Sequence, residues 1–236
     1  MGADGIHSRT RALVFGPESD YLRYLGFHTA AYAFTDPDLH ARLAGRFVLT
    51  DSLHRQLGLY GIRDERVVVF AVHRSREQAM PHDPRAVLRR AYSGLGWLAA
   101  AALERCPAPP ELYYDQVAQV ELPGWSRGRV TLVGDACQAV SLLAGQGASL
   151  AVAGAHVLAS ELTARDDLSS APDRYQARSL PLIRHKQAIG RRTAGWFLPS
   201  THTRLLLRRL ALRAPSLGRL VAAHLIGSDR AEPTSA

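Results

Sequence analysis

The chain has 236 residues, enough for one large domain or two modest ones with a hydrophobic core. Its 47% hydrophobic and 21% charged content is typical of a soluble globular protein and excludes a disordered one. No stretch approaches the ~20 apolar residues that span a bilayer, and the N-terminus lacks a signal-peptide pattern. Cys106 and Cys137 are far apart and are interpreted as free thiols. These features predict a cytoplasmic protein with no integral membrane segment.

The net charge of +8 comes almost wholly from arginine, because Lys186 is the only lysine. The arginines near the C-terminus are Arg204, Arg208, Arg209, Arg213 and Arg219. A basic cluster of this kind can bind nucleic acid, but here the arginines are interspersed with leucines in the pattern of an amphipathic helix. The sequence therefore favours a solvated helix face and no nucleic-acid partner.

The first predicted element is a short helix with Ser8 as its N-cap, ended by Gly16-Pro17. From Tyr21 the pattern changes to that of β-strands. Four strands are predicted, over residues 24–34, 46–50, 56–62 and 67–73. Because short turns connect the last three, an antiparallel meander is favoured.

The second half of the chain is predicted to return to the sheet and then become helical. Helices are expected over 84–92, 97–106, 145–163, 173–191, 202–214 and 215–226, and strands over 113–121 and 130–133. A turn at 122–127, a polar linker at 165–172 and a disordered tail complete the pattern. The order of elements indicates a mixed α/β fold: a partial Rossmann-like layer, an inserted antiparallel sheet and C-terminal helices.

One stretch carries the clearest sign of a ligand site. The strand at 130–133 leads into Gly134-Asp135, and Gly145-Gln146-Gly147 opens the long helix after a loop. A helix N-terminus presents unpaired N–H groups and the positive end of the helix dipole to an electron-rich ligand. Small residues from Ala148 onward allow the close approach of a flat ring system or of a packed sheet. Packing alone would not explain two glycine motifs a loop apart, so a ligand site is predicted.

A second glycine-flanked carboxylate lies at residues 2–11, in GADGIHSRTR. Taken together, this segment and residues 134–147 resemble the two flavin motifs of flavoprotein aromatic hydroxylases of the p-hydroxybenzoate hydroxylase type. The order and the separation of the two motifs also fit, and the resemblance covers about residues 1–165.

The resemblance implies an FAD-dependent monooxygenase that uses NAD(P)H and O₂ on an aromatic or polyketide-like small molecule. Four regions follow from it: an FAD-domain remnant at 1–16, a substrate-binding sheet with helices at 17–112, an FAD-binding segment at 113–165, and a C-terminal helical region at 166–236. The cofactor-binding residues implied are Asp4, Gly5, Arg11, Gly134, Asp135, Leu142, Gly145, Gln146, Gly147 and Ala148.

Most of these residues have an individual implied role. Asp4 would lie near the FAD pyrophosphate and the approach of NAD(P)H, on a face that Arg11 helps to form. Asp135 would accept hydrogen bonds from the ribityl or ribose hydroxyls. Residues 145–148 would direct backbone N–H groups to the pyrimidine edge of the isoalloxazine, where reduction places negative charge. Leu142 would cover the ring.

The sequence departs from the family pattern at three points. Leu142 stands where proline is usual, and Gln138 where histidine is common. The strand–GxGxxG–helix unit that holds adenosine and pyrophosphate in the family has no match here. Met1 stands at the end of the strand that should precede Asp4, so an N-terminal truncation is expected, through a gene-model error or a deletion. The competing function is a non-catalytic remnant without tight cofactor binding.

Two further expectations concern the remaining residues. An interior strand at 130–133 that lacks its neighbours would leave an apolar edge open, which favours aggregation or a homodimer. His28, His40, His54, His73 and His82 show no metal-ligand spacing, so no metal is predicted and unremarkable roles are expected for them.

Overall fold

The computed structural model describes residues 1–96, 98–164 and 167–213. The α-helices in these ranges are α1 Arg9–Val14, α2 Pro37–Leu43, α3 Pro84–Tyr92, α4 Ala99–Glu104, α5 Asp135–Gln138, α6 Gly147–Thr163, α7 Ala171–Phe197 and α8 His202–Arg213. The strands are β1 Leu22–Thr35, β2 Val48–Ser52, β3 Arg55–Gly61, β4 Arg66–Arg74, β5 Tyr113–Val120, β6 Ser126–Arg127 and β7 Val130–Thr131. The predicted mixed α/β architecture with C-terminal helices is confirmed. Within the described ranges, no helix combines the length and apolarity needed to cross a membrane.

The described residues divide into two compact units. The first unit contains Met1–Leu25 and Ala118–Ala194, and the second contains Gly26–Val117 and residues 195–213. Each unit has its own cluster of buried apolar side chains. The unit borders lie at 25–26, 117–118 and 194–195. The functional regions inferred from sequence, with borders at 16–17, 112–113 and 165–166, stay predictions.

A five-stranded sheet in the order β2-β3-β4-β1-β5 forms the framework of the second unit. Strands β2, β3 and β4 form the predicted antiparallel meander, and β1 pairs antiparallel with β4, so that Phe34 lies opposite Val67. One face of this sheet packs on helices: Tyr32 of β1 donates a 2.6 Å hydrogen bond to the carbonyl of Ala102 in α4. Alternate strand residues thus enter the core, as the period of a strand requires.

Helix α2 was not predicted, although its signals are present in the sequence. Asp36 caps it by accepting a 3.0 Å hydrogen bond from the N–H of Leu39. Pro37 occupies the first helical position, where its missing N–H costs nothing. The helix ends at Leu43, and the following residue Ala44 caps it with a left-handed φ of 49°.

The predicted strand at 130–133 is shorter and differently paired than expected. Its first two residues form β7, which pairs with β6 in a hairpin where a simple turn was predicted. Gly2 bridges in parallel to Leu132 and exchanges backbone hydrogen bonds with Thr131 and Val133 at 2.8 and 2.9 Å. On the other side, the N–H of Leu132 donates to Trp125 at 2.9 Å. Both edges at Leu132 therefore have backbone partners.

Three predicted helix boundaries are corrected. The helix predicted from residue 145 begins at Gly147, because Gly145 adopts a left-handed φ of 62°. Helix α7 begins at Ala171, inside the predicted linker, since Pro172 is tolerated in a first turn. It then continues to Phe197, past the predicted end at 191. The predicted helix at 215–226, the tail, Trp97 and residues 165–166 lie outside the described residues.

The arginines of α8 do not all lie on a solvated face. Arg208 is buried and is paired with Asp51 of β2, and it also donates to the Gln56 side chain at 2.8 Å. Arg209 reaches the same carboxylate at 2.8 Å. The leucine spacing therefore predicted the helix correctly, but the pairing of Arg208 depends on a carboxylate more than 150 residues away in sequence.

A buried polar cluster lies in the second unit around His73. His28 and His73 are opposite each other on β1 and β4. The Tyr114 hydroxyl lies 3.0 Å from His28 Nδ1 and 3.3 Å from His73 Nε2, and Tyr92 lies beside His73. Burial, together with the neighbouring His28, lowers the pKa of His73 to about 4. Both histidines are thus held in the core, a placement that their sequence spacing did not indicate.

Acid should destabilise the second unit through His73. Its folded-state pKa lies below the ordinary value of 6.5, so the unfolded chain takes up the proton first as the pH falls. Stability from the neutral ring is fully present above pH 6.5 and is lost as the pH falls towards 4. A shift of one pKa unit corresponds to ~1.4 kcal/mol. The lowered pKa of His73 should therefore reduce the free energy of unfolding by about 3 kcal/mol when the pH falls to 4.

Urea unfolding at pH 7.0 and 4.0 tests this for the wild-type chain, His73→Gln and His82→Gln, the last at an exposed histidine. The acid-induced loss should shrink in His73→Gln alone. Equal losses in all three proteins would show that His73 does not carry the effect.

Candidate functional site

Gly134 forms the turn that immediately precedes Asp135 of the candidate site. Gly134 has φ 65° and ψ −148°, a conformation accessible essentially to glycine alone. A Cβ at this position would also lie 3.4 Å from the Cβ of Ala151 in α6. The residue therefore combines an unusual turn with a close approach to the long helix. The loop predicted after it is instead the short helix α5, which Asp135 begins.

Asp135 lies over the first turn of α6. A Cβ built at Gly147 would be 3.7 Å from Asp135 Oδ1, so this carboxylate and the glycine-opened helix are neighbours. Asp135 is exposed, yet the surrounding protein partly desolvates its carboxylate and raises the pKa. The structure thus brings together the two motifs that sequence analysis singled out.

The first turn of α6 presents backbone N–H groups that precede its helical hydrogen bonds, which is the feature a ligand would bind. The cap residue Gln146 makes no side-chain capping hydrogen bond, and the first helical donor is Leu150, which bonds to the carbonyl of Gln146. The N–H groups of Gly147, Ala148 and Ser149 therefore precede the hydrogen-bonded part of the helix. Gly145 differs, because its N–H donates to the carbonyl of Leu142 at 3.1 Å. Its N–H is therefore already bonded within the loop, and its implied role toward a ligand stays a prediction.

The segment before α6 is strained and firmly held. Ser141 is buried with φ 85° and ψ 150°, a glycine-like conformation that costs a side-chain-bearing residue about 1–3 kcal/mol. Gln119 donates to the carbonyl of Val140 at 3.0 Å, and Gln187 donates to that of Ala139 at 3.1 Å. With the preceding residues fixed in this way, Leu142 is left 48% exposed. Neither glutamine was identified from the sequence, since nothing local marks them.

Gln138, which stands where the family commonly has histidine, faces inward. It is buried, and its amide donates to the Tyr175 hydroxyl in α7 at 2.9 Å. A Cβ at Gly154 would lie only 2.5 Å from the Gln138 amide, so a larger residue there would have to displace the Gln138 side chain. Gln138 therefore helps to pack α5 against α6 and α7.

Asp4 organises the turn before α1. Its carboxylate accepts hydrogen bonds from the Ser8 hydroxyl at 2.5 Å and from the N–H and hydroxyl of Thr10 at 2.8 and 3.0 Å. Partial desolvation would raise its pKa, but these hydrogen bonds outweigh it and lower the pKa to about 2. Asp4 is therefore ionised at neutral pH. Gly5, next to it, has φ 81° and open space where a side chain would be.

Arg11 joins the two motifs from inside the first unit. It is fully buried, and it donates to the carbonyls of Ala136 and Ile6 at 2.9 and 2.7 Å. Glu18 pairs with the same guanidinium at 3.1 Å. The charge of Arg11 is thus bound by groups within the first unit, and its implied part in the face that NAD(P)H approaches stays a prediction.

The arrangement can bind an electron-rich, hydroxyl-bearing ligand. Open N–H groups of α6 favour negative charge, and the carboxylate of Asp135 accepts hydrogen bonds from hydroxyls. Among the described residues, no group of three or more His, Cys, Asp or Glu side chains could hold a metal ion.

Comparison with known proteins gives consistent results. The model of a family described as FAD binding domain matches residues 1–184. A flavin-dependent monooxygenase from an unknown prokaryotic organism is 32% identical over 200 residues, which cover 80% of this chain and 50% of that protein. An uncharacterized protein of Mycobacterium tuberculosis is 38% identical over 177 residues, covering 71% of this chain and 45% of its own length. The chain thus spans about half the length of these curated relatives.

Solved structures share the fold. The tetracycline destructase Tet(55) superposes with a TM-score of 0.75 at 26% identity and covers 94% of this chain and 59% of its own. Klebsiella pneumoniae HpxO, complexed with FAD and uric acid, has a TM-score of 0.68 at 20% identity, covering 95% and 54%. The second likeness concerns the fold alone. The family match over residues 1–184 shows that the chain belongs to the FAD binding domain family.

Proposed function

We propose that the chain is the flavin-binding part of an FAD-dependent monooxygenase that uses NAD(P)H and O₂ on an aromatic or polyketide-like small molecule. The observation that carries the proposal is the position of the Asp135 carboxylate beside the open N-terminus of α6. Residues 1–16 and 113–165 are assigned to cofactor binding, 17–112 to the substrate side, and 166–236 to a C-terminal helical region. A cytoplasmic location and a homodimer remain predictions.

The residues at this site fit the polar groups of FAD. Asp135 would accept hydrogen bonds from the ribityl or ribose hydroxyls, and its exposed carboxylate is available for them. The N–H groups of Gly147 and Ala148, with Gln146 as the uncapped preceding residue, would hold the pyrimidine edge. Leu142 offers an exposed apolar surface for the ring. The flavin supplies the electron transfer and oxygen chemistry, while the protein supplies position, electrostatics and exclusion of water.

The turn at Asp4 and Gly5 would lie along the pyrophosphate. Since the Asp4 carboxylate is occupied by Ser8 and Thr10, its role would be to fix the turn rather than to bind phosphate directly. The open space at Gly5 would allow close approach of the ligand to the backbone.

The strength of binding can be bounded. A nanomolar site needs about 12 kcal/mol of binding free energy, whereas one helix N-terminus contributes at most ~2 kcal/mol and a hydrogen bond to Asp135 about 1.5–3 kcal/mol. For the 236-residue chain alone we therefore propose weak FAD binding and no NAD(P)H oxidation.

Asp135→Asn should weaken FAD binding about tenfold, because a charge-assisted hydrogen bond contributes about 1.5–3 kcal/mol, more than a neutral one. Asp64→Asn, which removes an exposed carboxylate in the other unit, is the control. Quenching of FAD fluorescence during titration gives the dissociation constants. An unchanged constant for Asp135→Asn would contradict the assignment.

Alanine substitutions at Gly134 and Gly147 should distinguish an effect on folding stability from an effect on FAD binding. Gly134→Ala should lower the unfolding free energy by about 1–3 kcal/mol, because its φ of 65° strains any side chain. Gly147→Ala should leave stability unchanged or slightly higher, since a Cβ there meets nothing closer than 3.7 Å, but should weaken FAD binding by narrowing the approach to the N–H groups.

Urea unfolding and FAD titration of both variants make the test. Equal effects of the two alanines on stability would contradict the structural assignment. Full FAD affinity in Gly147→Ala would contradict the binding assignment.

A further inference from the structure

A cavity in the first unit is lined by none of the individual residues proposed to contact flavin, although part of its lining comes from the segment 113–165. Its volume is about 410 Å³, within the range of small-molecule sites. The cavity lies between α7 and the segment that follows β5. Its lining combines a closely packed apolar wall with a charged rim, which is a pattern typical of sites for amphipathic ligands.

The apolar wall is rigid. Leu122, Trp125 and Ile183 line the cavity and are each at most 5% exposed, and Leu180 lies beside them. Trp125 is fixed further by its ring contact with Tyr175 at 5.3 Å. Its indole N–H is buried and has no acceptor within the described part of the chain. A ligand would thus meet a prebuilt apolar surface, at little cost in ordering side chains.

The rim carries an excess of positive charge. Arg23 and Arg191 share one carboxylate, Glu121, at 3.1 and 3.0 Å. Arg184, also on the rim, is exposed, and its guanidinium has no hydrogen bond or ion pair to another described residue. Three guanidinium groups against one carboxylate leave a net charge of +2, which favours an anion.

A hydrogen bond within the first unit holds Arg191 in position on the rim. Arg191 donates to the Gln119 side chain at 2.8 Å, which holds its guanidinium in place. A neighbouring cavity of about 400 Å³ shares Leu180 and Arg184 with the first. Arg184 therefore stands where the two cavities meet, close to the apolar residues on the same side of α7.

From this combination we propose that the cavity binds a small monocarboxylate with an aliphatic or aromatic body. The carboxylate lies at Arg184 and Arg191, and the body packs on Leu180, Ile183 and Trp125. A monoanion is favoured over a dianion because Glu121 lies on the same rim. The site is independent of the flavin assignment.

Calorimetric titration of the 236-residue chain with octanoate, below its micelle concentration, tests the proposal. Octanol keeps the body without the charge, acetate keeps the charge without the body, and octyl phosphate replaces the monocarboxylate. Octanoate should bind at least tenfold more tightly than each of these three. If octanol bound as tightly as octanoate, the proposed role of the charged rim would be wrong. If acetate bound as tightly, the proposed role of the apolar wall would be wrong. Tighter binding of octyl phosphate would contradict the choice of a monocarboxylate.

Variants on α7 supply the second measurement. Arg184→Gln should weaken octanoate binding about fivefold, as expected for one partly exposed charge pair of about 1 kcal/mol. Arg192→Gln removes the same charge from an exposed residue of the same helix that does not line the cavity, and should change nothing. The proposal is wrong if octanoate does not bind, or if both variants behave alike.

Discussion

The buried guanidinium of Arg11 is the interaction on which the first unit depends. It bonds to carbonyls at Ile6 and Ala136, one in each glycine motif, and pairs with Glu18. A fully buried charge is tolerated only when its partners are in place, and two carbonyls and the partly exposed Glu18 carboxylate supply them here. The turn at Asp4 and the start of α5 are therefore fixed relative to each other by one side chain.

The fold could be predicted where the signal is local. The strand-like residue pattern and the short turns predicted the meander β2-β3-β4, and Ser8 predicted the start of α1. The errors arose where two chain segments meet. The hairpin of β6 with β7 and the bridge from Gly2 to Leu132 depend on pairing partners that no window of sequence contains. Helix α2 is the exception, because its Asp36-Pro37 signal is local and was overlooked.

The site residues also divide into those with a local sequence signal and those without one. Gly134, Asp135 and Gly147 could be identified because a strand, a carboxylate and a glycine-opened helix follow one another in the chain. The inward position of Arg11 and the anchoring of the Val140 carbonyl by Gln119 could not, since both depend on contacts more than 20 residues apart. A resemblance to a family transfers the motif positions, but it does not state which of them face a ligand and which face the core.

The most direct test of the central claim is a backbone amide NMR titration of the 236-residue chain with FAD. Weak binding suits this measurement, because shifts are seen at each residue during exchange. Saturable shifts are expected at Gly147 and Ala148, with none at Gly58 in the sheet of the other unit. Shifts that saturate elsewhere while Gly147 and Ala148 stay unchanged would contradict a flavin site at the start of α6.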